Sequence, residues 1–253
     1  MDKQTIKYIR SLHQKKYRLQ HNAFIVEGNK MVNELLQSAF EVQQIYAIEP
    51  EIIIGYAKGI EKISPKELER ISTMKNPNNV LAVVTLPKQK FPKNDKIKTS
   101  LNLVLENIQD PGNMGTILRL ANWYGISHIF CNNATVEIYN PKVVQASMGA
   151  LFRVDVHYTD IHKLISESAS WGNFEAYATH LDGEDIYNAK LETAGFIIMG
   201  NESKGLSETT ASLADKKISI PSYPPGASSM ESLNVGLATA ITVAEFRRRM
   251  MSH

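Results

Sequence analysis

Three short segments carry residues able to hold a small ligand and act on it: QDPGNMGT (109–116), GNESKGLSE (200–208) and PSYPPGASSMESLN (221–234). Their glycines permit positive φ and close approach of the backbone, so main-chain N–H and C=O groups can grip an adenosine-like ligand directly. A few polar side chains stand among them. Arg119 lies a turn and a half of helix beyond Asn113, where a guanidinium can reach a phosphate or a carboxylate; spacing alone equally allows a surface arginine paired with an acid. Asn113 is placed to cap that helix. Glu202, between Gly200 and Gly205, can brace its loop, and Ser232 and Asn234 stand where capping of a last helix and direct function are both open. None of the segments is a GxGxxG after the first strand or a GxxxxGK[ST] loop, so dinucleotide and nucleoside-triphosphate enzymes lose their defining feature. The residues by themselves lead to a ligand-binding α/β protein.

The elements that must position these loops alternate. Strands are expected at LNLVLENI (101–108), HIFCN (128–132), VDVHY (154–158), FEAYATHL (174–181), FIIMGN (196–201) and KISIPS (217–222), with helices at 113–124, 141–151, near 160–171 and from about 232 to 250. Such alternation with apolar strands predicts a mostly parallel sheet covered on both faces, with ligands gathered at the carboxyl ends of the strands. Ahead of it, Ile6, Ile9, Leu12 and Tyr17 predict one basic amphipathic helix over 5–19. FIVEG, a helix over 29–38, VQQIYAIE (42–49), the apolar EIIIGYA (51–57), a helix over 64–72 and NVLAVVTL (79–86) follow as a small α/β unit. Ser64 with Pro65 and Glu67 forms a capping-box signature. The proline- and lysine-bearing LPKQKFPKNDK (86–96) suits a linker, which sets expected domains of 1–95 and 96–253.

Composition narrows the class. The 253 residues are 43% hydrophobic and 21% charged, ordinary for a globular chain that buries a core. No apolar stretch is long enough to span a bilayer and the first residues lack a signal-peptide core, so a cytoplasmic protein is expected. The single cysteine, Cys131, excludes an intramolecular disulfide framework and reads as a buried strand residue; the seven histidines show no metal-ligand spacing, and neither metal nor redox chemistry is suggested. Net charge is only +2, yet residues 1–30 set Lys3, Lys7, Arg10, Lys15, Lys16, Arg18 and Lys30 against Asp2 and Glu27 alone. Further basic runs, Lys88, Lys90, Lys93, Lys96 and Lys98, and Arg247 to Arg249, are candidates for phosphate contact or for a solvated surface.

In order and separation, the three loops resemble the signature motifs of the SpoU/TrmH branch of the SPOUT RNA methyltransferases. NIQDPGNMGTILRLANWYGISHIF (107–130) resembles the first, FIIMGNESKGLSE (196–208) the second, and ISIPS…SLNVGLATAITVAEFRRR (218–249) the third. KYIRSLHQKKYRLQHNAFIVEGNKMVNELL resembles the small substrate-binding domain of many such enzymes, which implies an RNA-gripping module. The resemblance implies a SPOUT-type α/β fold with a trefoil knot, a homodimer, and S-adenosylmethionine as cofactor for methylation of a ribose 2′-hydroxyl. The separate N-terminal domain tilts the expected substrate to ribosomal RNA over transfer RNA; a noncatalytic RNA-binding or assembly factor of the same fold, or a base-nitrogen methylase, is the alternative. By motif position it implies catalytic roles for Arg119, Asn113, Glu202, Ser232 and Asn234. Cofactor contacts fall on Thr179, Leu181, Met199, Gly200, Gly205, Ile220, Pro221 and Leu233. The segment between Ile220 and Asn234 is about four residues longer than the compact third-motif loop, so no cofactor contacts are assigned to 222–231.

Overall fold

The computed structural model describes residues 1–53, 59–88, 90–224 and 232–251; residues 54–57 of the expected apolar run and 225–231 of the long loop lie outside the described residues. The chain divides into two compact units, Met1–Gln89 with Glu137–Arg153, and Lys90–Val136 with Val154–His253.

The first unit contains α1 (Lys3–Ser11), α2 (Lys15–His21), β1 (Ala23–Glu27), α3 (Asn29–Leu36), β2 (Val42–Ala47), β3 (Ile60–Lys62), α4 (Pro65–Ile71) and β4 (Val80–Thr85). Its sheet runs β1-β4-β2-β3, antiparallel except for the parallel β2–β3 pair. The apolar stripe Ile6, Ile9 and Leu12 joins Ile25, Leu68, Ile71, Leu81 and Val83 in one core. The capping box at Ser64 and Glu67 is formed as expected.

The single helix expected over 5–19 is two helices, with Gln14 extended at φ −107° and ψ 134° between them. In a continuous helix the Leu12 carbonyl would accept from the Lys16 N–H. The break instead gives that carbonyl to Arg18 Nη1 at 2.9 Å. It also lets His13 Nε2 donate to the Ile71 carbonyl at 2.9 Å. Arg18 is only 2% exposed and pairs with Glu137, so it belongs to the interior and leaves the list of phosphate-facing cations.

Glu137 lies in the segment that sequence order attaches to the second half of the chain. This segment holds α7 (Pro141–Ala146), which packs against β1. Tyr139 sits against Phe24 with ring centroids 4.7 Å apart, Phe152 against Phe40 at 5.3 Å, and Arg153 pairs with Glu34.

The second unit contains α5 (Asn94–Lys98), β5 (Leu101–Leu105), α6 (Pro111–Trp123), β6 (His128–Cys131), β7 (Asp155–Tyr158), α8 (Ile161–Ser168), β8 (Glu175–Asp185), β9 (Gly195–Met199), α9 (Glu208–Leu213), β10 (Lys216–Ser219) and α10 (Val235–Met251). The sheet is parallel throughout, ordered β10-β8-β9-β5-β6-β7. Every residue of β5, β6 and β9 is buried, as doubly covered central strands require. Cys131 is fully buried in β6, and that burial pushes its thiol up, away from thiolate chemistry.

The cap of α6 differs from expectation. Asp110, not Asn113, occupies the N-cap, its carboxylate accepting from the Asn113 N–H at 2.8 Å, with Pro111 in the first turn. Asn113 therefore sits in the first turn with its side-chain amide free for other partners. The third basic run is also paired within the chain, although the Arg248 side chain stays 62% exposed. Arg247 donates to the Tyr124 and Gly125 carbonyls, Arg248 and Arg249 pair with buried Glu245, and Arg249 donates to the carbonyls of Ile186, Tyr187 and Ala189. In contrast Lys3, Lys7, Arg10, Lys15, Lys16, Lys30, Lys88, Lys90, Lys93 and Lys96 are exposed, while Lys98 lies over Trp171 at 5.3 Å.

Candidate active site

A cavity of about 590 Å³, within the range of small-molecule sites, opens along the second half of β8, where the chain leaves β9 and β10, and where it enters α10. Of the residues proposed for the cofactor, Thr179, Leu181, Met199, Gly200, Gly205, Ile220 and Leu233 line it; Pro221 does not. Ile186, Leu206, Ile218, Val235, Ala238 and Thr242 complete a largely apolar wall that motif position alone did not reveal. Leu181 is 77% exposed and Leu233 46% exposed, an arrangement that leaves apolar surface bare at the cavity for a ligand to cover.

The floor depends on glycine. A Cβ at Gly200 would lie 2.3 Å from the Gly205 carbonyl carbon and 2.5 Å from the Leu206 nitrogen, both backbone atoms that cannot swing aside. Gly205 takes φ +66°, and the loop between them closes through Asn201 N–H to Gly205 O at 3.0 Å and Gly205 N–H to Asn201 O at 2.9 Å. Thr179 is fixed by donating to the Ile198 carbonyl at 2.9 Å.

At the edge of the cavity a chain of amides and a carboxylate joins all three loops. Asn234 Nδ2 donates to Asn113 Oδ1 at 2.9 Å, and Asn113 Nδ2 donates to Glu202 Oε1 at 2.7 Å. Asn234 also caps α10, its Oδ1 accepting from the Gly236 N–H at 2.9 Å, so the capping and site readings of this residue are both true. Ser232 Oγ donates to the Glu202 carbonyl at 3.2 Å. Glu202 and Ser232 face the cavity; Asn113, Arg119 and Asn234 are not among its lining residues. Arg119, exposed on α6, has no hydrogen-bond or ion-pair partner among the described residues, which sets aside the surface-pair reading.

Two supports were not anticipated. Asn107, at φ +59°, and Asn132 exchange hydrogen bonds, and Asn201 Nδ2 donates to the Asn107 carbonyl at 2.9 Å, tying together the loops after β5, β6 and β9. Buried Glu106 accepts from the Ser207 N–H and hydroxyl and from Thr210 Oγ1, each at 2.8 Å, anchoring the far end of the 200–208 loop. Their signal was the polar cluster Glu106-Asn107 immediately after an apolar strand.

The profile of the SpoU rRNA Methylase family matches residues 100–244, more than half of the chain. The chain belongs to the SpoU rRNA methylase family. It is an RNA methyltransferase whose cofactor is S-adenosylmethionine. The profile of the MRM3-like substrate binding domain matches residues 3–82 of this SpoU-family chain. Over 96% of its own length and 96% of the relative's, the chain is 28% identical to the 23S rRNA (guanosine(2553)-2′-O)-methyltransferase RlmP of Bacillus subtilis (strain 168). Among solved structures, a TrmH-family protein from Porphyromonas gingivalis is 34% identical, with a TM-score of 0.87 over 98% of this chain and 99% of that one. An AdoMet-bound rRNA methyltransferase from Sinorhizobium meliloti is 27% identical, with a TM-score of 0.84 over 98% and 95%. Among the described residues of this family member no helix is long and apolar enough to cross a membrane.

Proposed function

We propose that the chain methylates a ribose 2′-hydroxyl of ribosomal RNA in the cytoplasm, with the cavity as the cofactor site and the Asn234–Asn113–Glu202 chain as the frame of the reaction centre. The observation that carries this reading is that chain of hydrogen bonds, which gathers residues from all three loops at the edge of an apolar cavity. The cavity suits S-adenosylmethionine: its apolar side chains offer a dry slot for an adenine, and the loop at Gly200 brings backbone where any larger residue would intrude. Thr179, Leu181, Met199, Gly200, Gly205, Ile220 and Leu233 would hold the cofactor. When bound, the cofactor supplies an electrophilic methyl group.

The protein's own contribution is alignment and electrostatics. An arginine side chain carries a fixed positive charge, and Arg119 has no partner among the described residues, so it is suited to hold a phosphate beside the target ribose or to stabilise negative charge developing on the 2′-oxygen. Asn113 and Asn234 fix Glu202, and Ser232 holds the Glu202 backbone, so that the carboxylate keeps one orientation at the cavity edge. Exposed lysines and arginines of the first 30 residues give the long-range attraction that a polyanion needs.

The family resemblance supports two further assignments, a trefoil knot around the cofactor loops and a homodimer. Trp123 on α6 and Leu237 on α10, 82% and 59% exposed, offer apolar surface for a second copy to cover.

The test combines calorimetric titration with S-adenosylmethionine and methyl transfer to unmodified ribosomal and transfer RNA, with the product digested to nucleosides. We expect one cofactor site per chain and a 2′-O-methyl nucleoside from ribosomal RNA. Arg119→Ala is expected to fold and bind cofactor but to lose methyl transfer. Normal turnover by that variant refutes the role given to Arg119, a base-methylated product refutes the ribose assignment, and a folded protein that binds no cofactor refutes the whole reading.

A further inference from the structure

A second cluster of chemically competent side chains lies at the other end of the same sheet. β6 and β7 pair in parallel with His128 opposite Asp155 and Phe130 opposite His157. Paired residues share a face, as do residues two apart on a strand, so His128, Asp155 and His157 all project from one side. His128 and Asp155 begin their strands, whereas the cavity lies along the second half of β8 and beyond the carboxyl ends of β9 and β10.

One donor atom from each of the three lies within 4.8 Å of the other two. His128 and His157 are 9% and 5% exposed, and His128 Nδ1 and His157 Nε2 are buried with no hydrogen-bond partner among the described residues. His128 Nδ1 stands 3.8 Å from Asp155 Oδ2, too far for a hydrogen bond. Ring packing accounts for the carbon faces: His157 stacks on Phe130 at 5.4 Å and meets Phe91 at 5.5 Å. It does not account for two buried ring nitrogens left without partners beside a carboxylate, since such atoms are costly unless something binds them.

We propose that His128, Asp155 and His157 are the ligands of a single divalent transition-metal ion of the zinc class, at a site separate from methyl transfer. Two imidazole nitrogens and one carboxylate oxygen match that ion's preferred donors, and three protein ligands leave one position for water. Around a tetrahedral zinc, donors at about 2.1 Å are about 3.4 Å apart, so the cluster, spread over up to 4.8 Å, must contract by up to about 1.4 Å. Asp155, with a side chain 73% exposed, is free to turn inward. The ion would bolt the outermost strand, β7, to its neighbour. The absence of ligand spacing among the histidines in the sequence has a simple cause: the donors come from two strands and meet only through register.

The test uses untagged full-length protein stripped with a chelator. Zn²⁺ titrated in competition with a chromophoric chelator should saturate at one ion per chain and raise the thermal unfolding midpoint, and Co²⁺ should give tetrahedral d–d absorption. Outer-shell substitutions commonly weaken metal binding about 10- to 100-fold, so removing a ligand by Asp155→Ala or His157→Gln should weaken zinc at least tenfold and abolish the cobalt spectrum. Methyl transfer by Asp155→Ala should match that of the unaltered protein. Should His157→Gln fail to fold, the exposed Asp155 position still decides the matter. No saturable site, or zinc affinity unchanged in Asp155→Ala, overturns the proposal.

Discussion

Replacing Asn113 by Asp changes one atom type and reverses the polarity of one hydrogen bond. The amide that donates to Glu202 Oε1 at 2.7 Å becomes a carboxylate facing a carboxylate, while the other oxygen can still accept from Asn234 Nδ2. Losing a donor to a charged acceptor costs about 1.5–3 kcal/mol, with the lower end apt for this half-buried pair. Repulsion between unit charges at that distance adds about 1.5 kcal/mol even at the dielectric constant of water, less as the groups relax apart. Together these give about 2–4 kcal/mol, or about 30- to 1,000-fold in kcat/KM where the frame is needed in the transition state. The fold should not suffer: α6 is capped by Asp110 through the Asn113 backbone N–H, and an acid in a first turn favours the helix dipole. Adding Glu202→Gln restores a donor facing an acceptor at unchanged net charge, so the double variant should recover part of the loss, with a coupling energy of about 2 kcal/mol. Initial rates of methyl transfer, with thermal unfolding as the control, read the whole cycle. If Asn113→Asp is fully active, or the double variant is no better than the poorer single, the hydrogen-bonded frame is not what organises the centre.

Gly200→Ala places a methyl within 2.3–2.6 Å of backbone atoms of Gly205 and Leu206. The loop must open at the expense of its two closing hydrogen bonds, so cofactor affinity should fall by about 2–4 kcal/mol, with calorimetric affinity equal to that of the unaltered protein as the contrary result. At the other end of the site's last helix, hydrogen bonds from Arg248 and then Arg249 hold the buried Glu245 carboxyl down at about 2, against an ordinary 4.5. A carboxyl lowered in the folded state gives stability that is complete above the unfolded value and lost as pH falls through the folded one. Denaturant unfolding should therefore show the stability gap between the unaltered protein and Glu245→Gln narrowing from pH 4.5 toward pH 2; a gap constant over that window contradicts the pairing.

The parallel sheet was legible because βα alternation with largely apolar central strands admits few other arrangements, and the Ser64 box because its partners are three residues apart. What sequence order hides is whatever depends on distant partners. The first helix breaks at Gln14 because Arg18 needs the Leu12 carbonyl and Glu137, the latter 119 residues away. Arg247 to Arg249 read as a basic patch, yet their carbonyl and carboxylate partners lie on turns and on α10 itself. Asn113 looked like a cap because it is followed by a helical pattern; Asp110 competes for the same position, with Pro111 behind it, and wins. The three signature loops could be named in advance, but the bonds joining Asn234, Asn113 and Glu202 exist only once β5, β9 and α10 are assembled.

The insertion of residues 137–153 into the first unit has a bearing on how such a protein can be taken apart. A cut in the lysine-rich stretch near residue 95 passes through only one of the covalent crossings between the units, at residues 89–90, and leaves those at 136–137 and 153–154 intact. The amino-terminal piece would lack the acid that neutralises Arg18 and the rings that cover Phe24 and Phe40, while the carboxyl-terminal piece would carry Tyr139 and Phe152 with nothing beneath them. The amino-terminal module is therefore not a cassette that can be exchanged between relatives by splicing at the linker: a working chimaera must transplant the 17-residue excursion along with it.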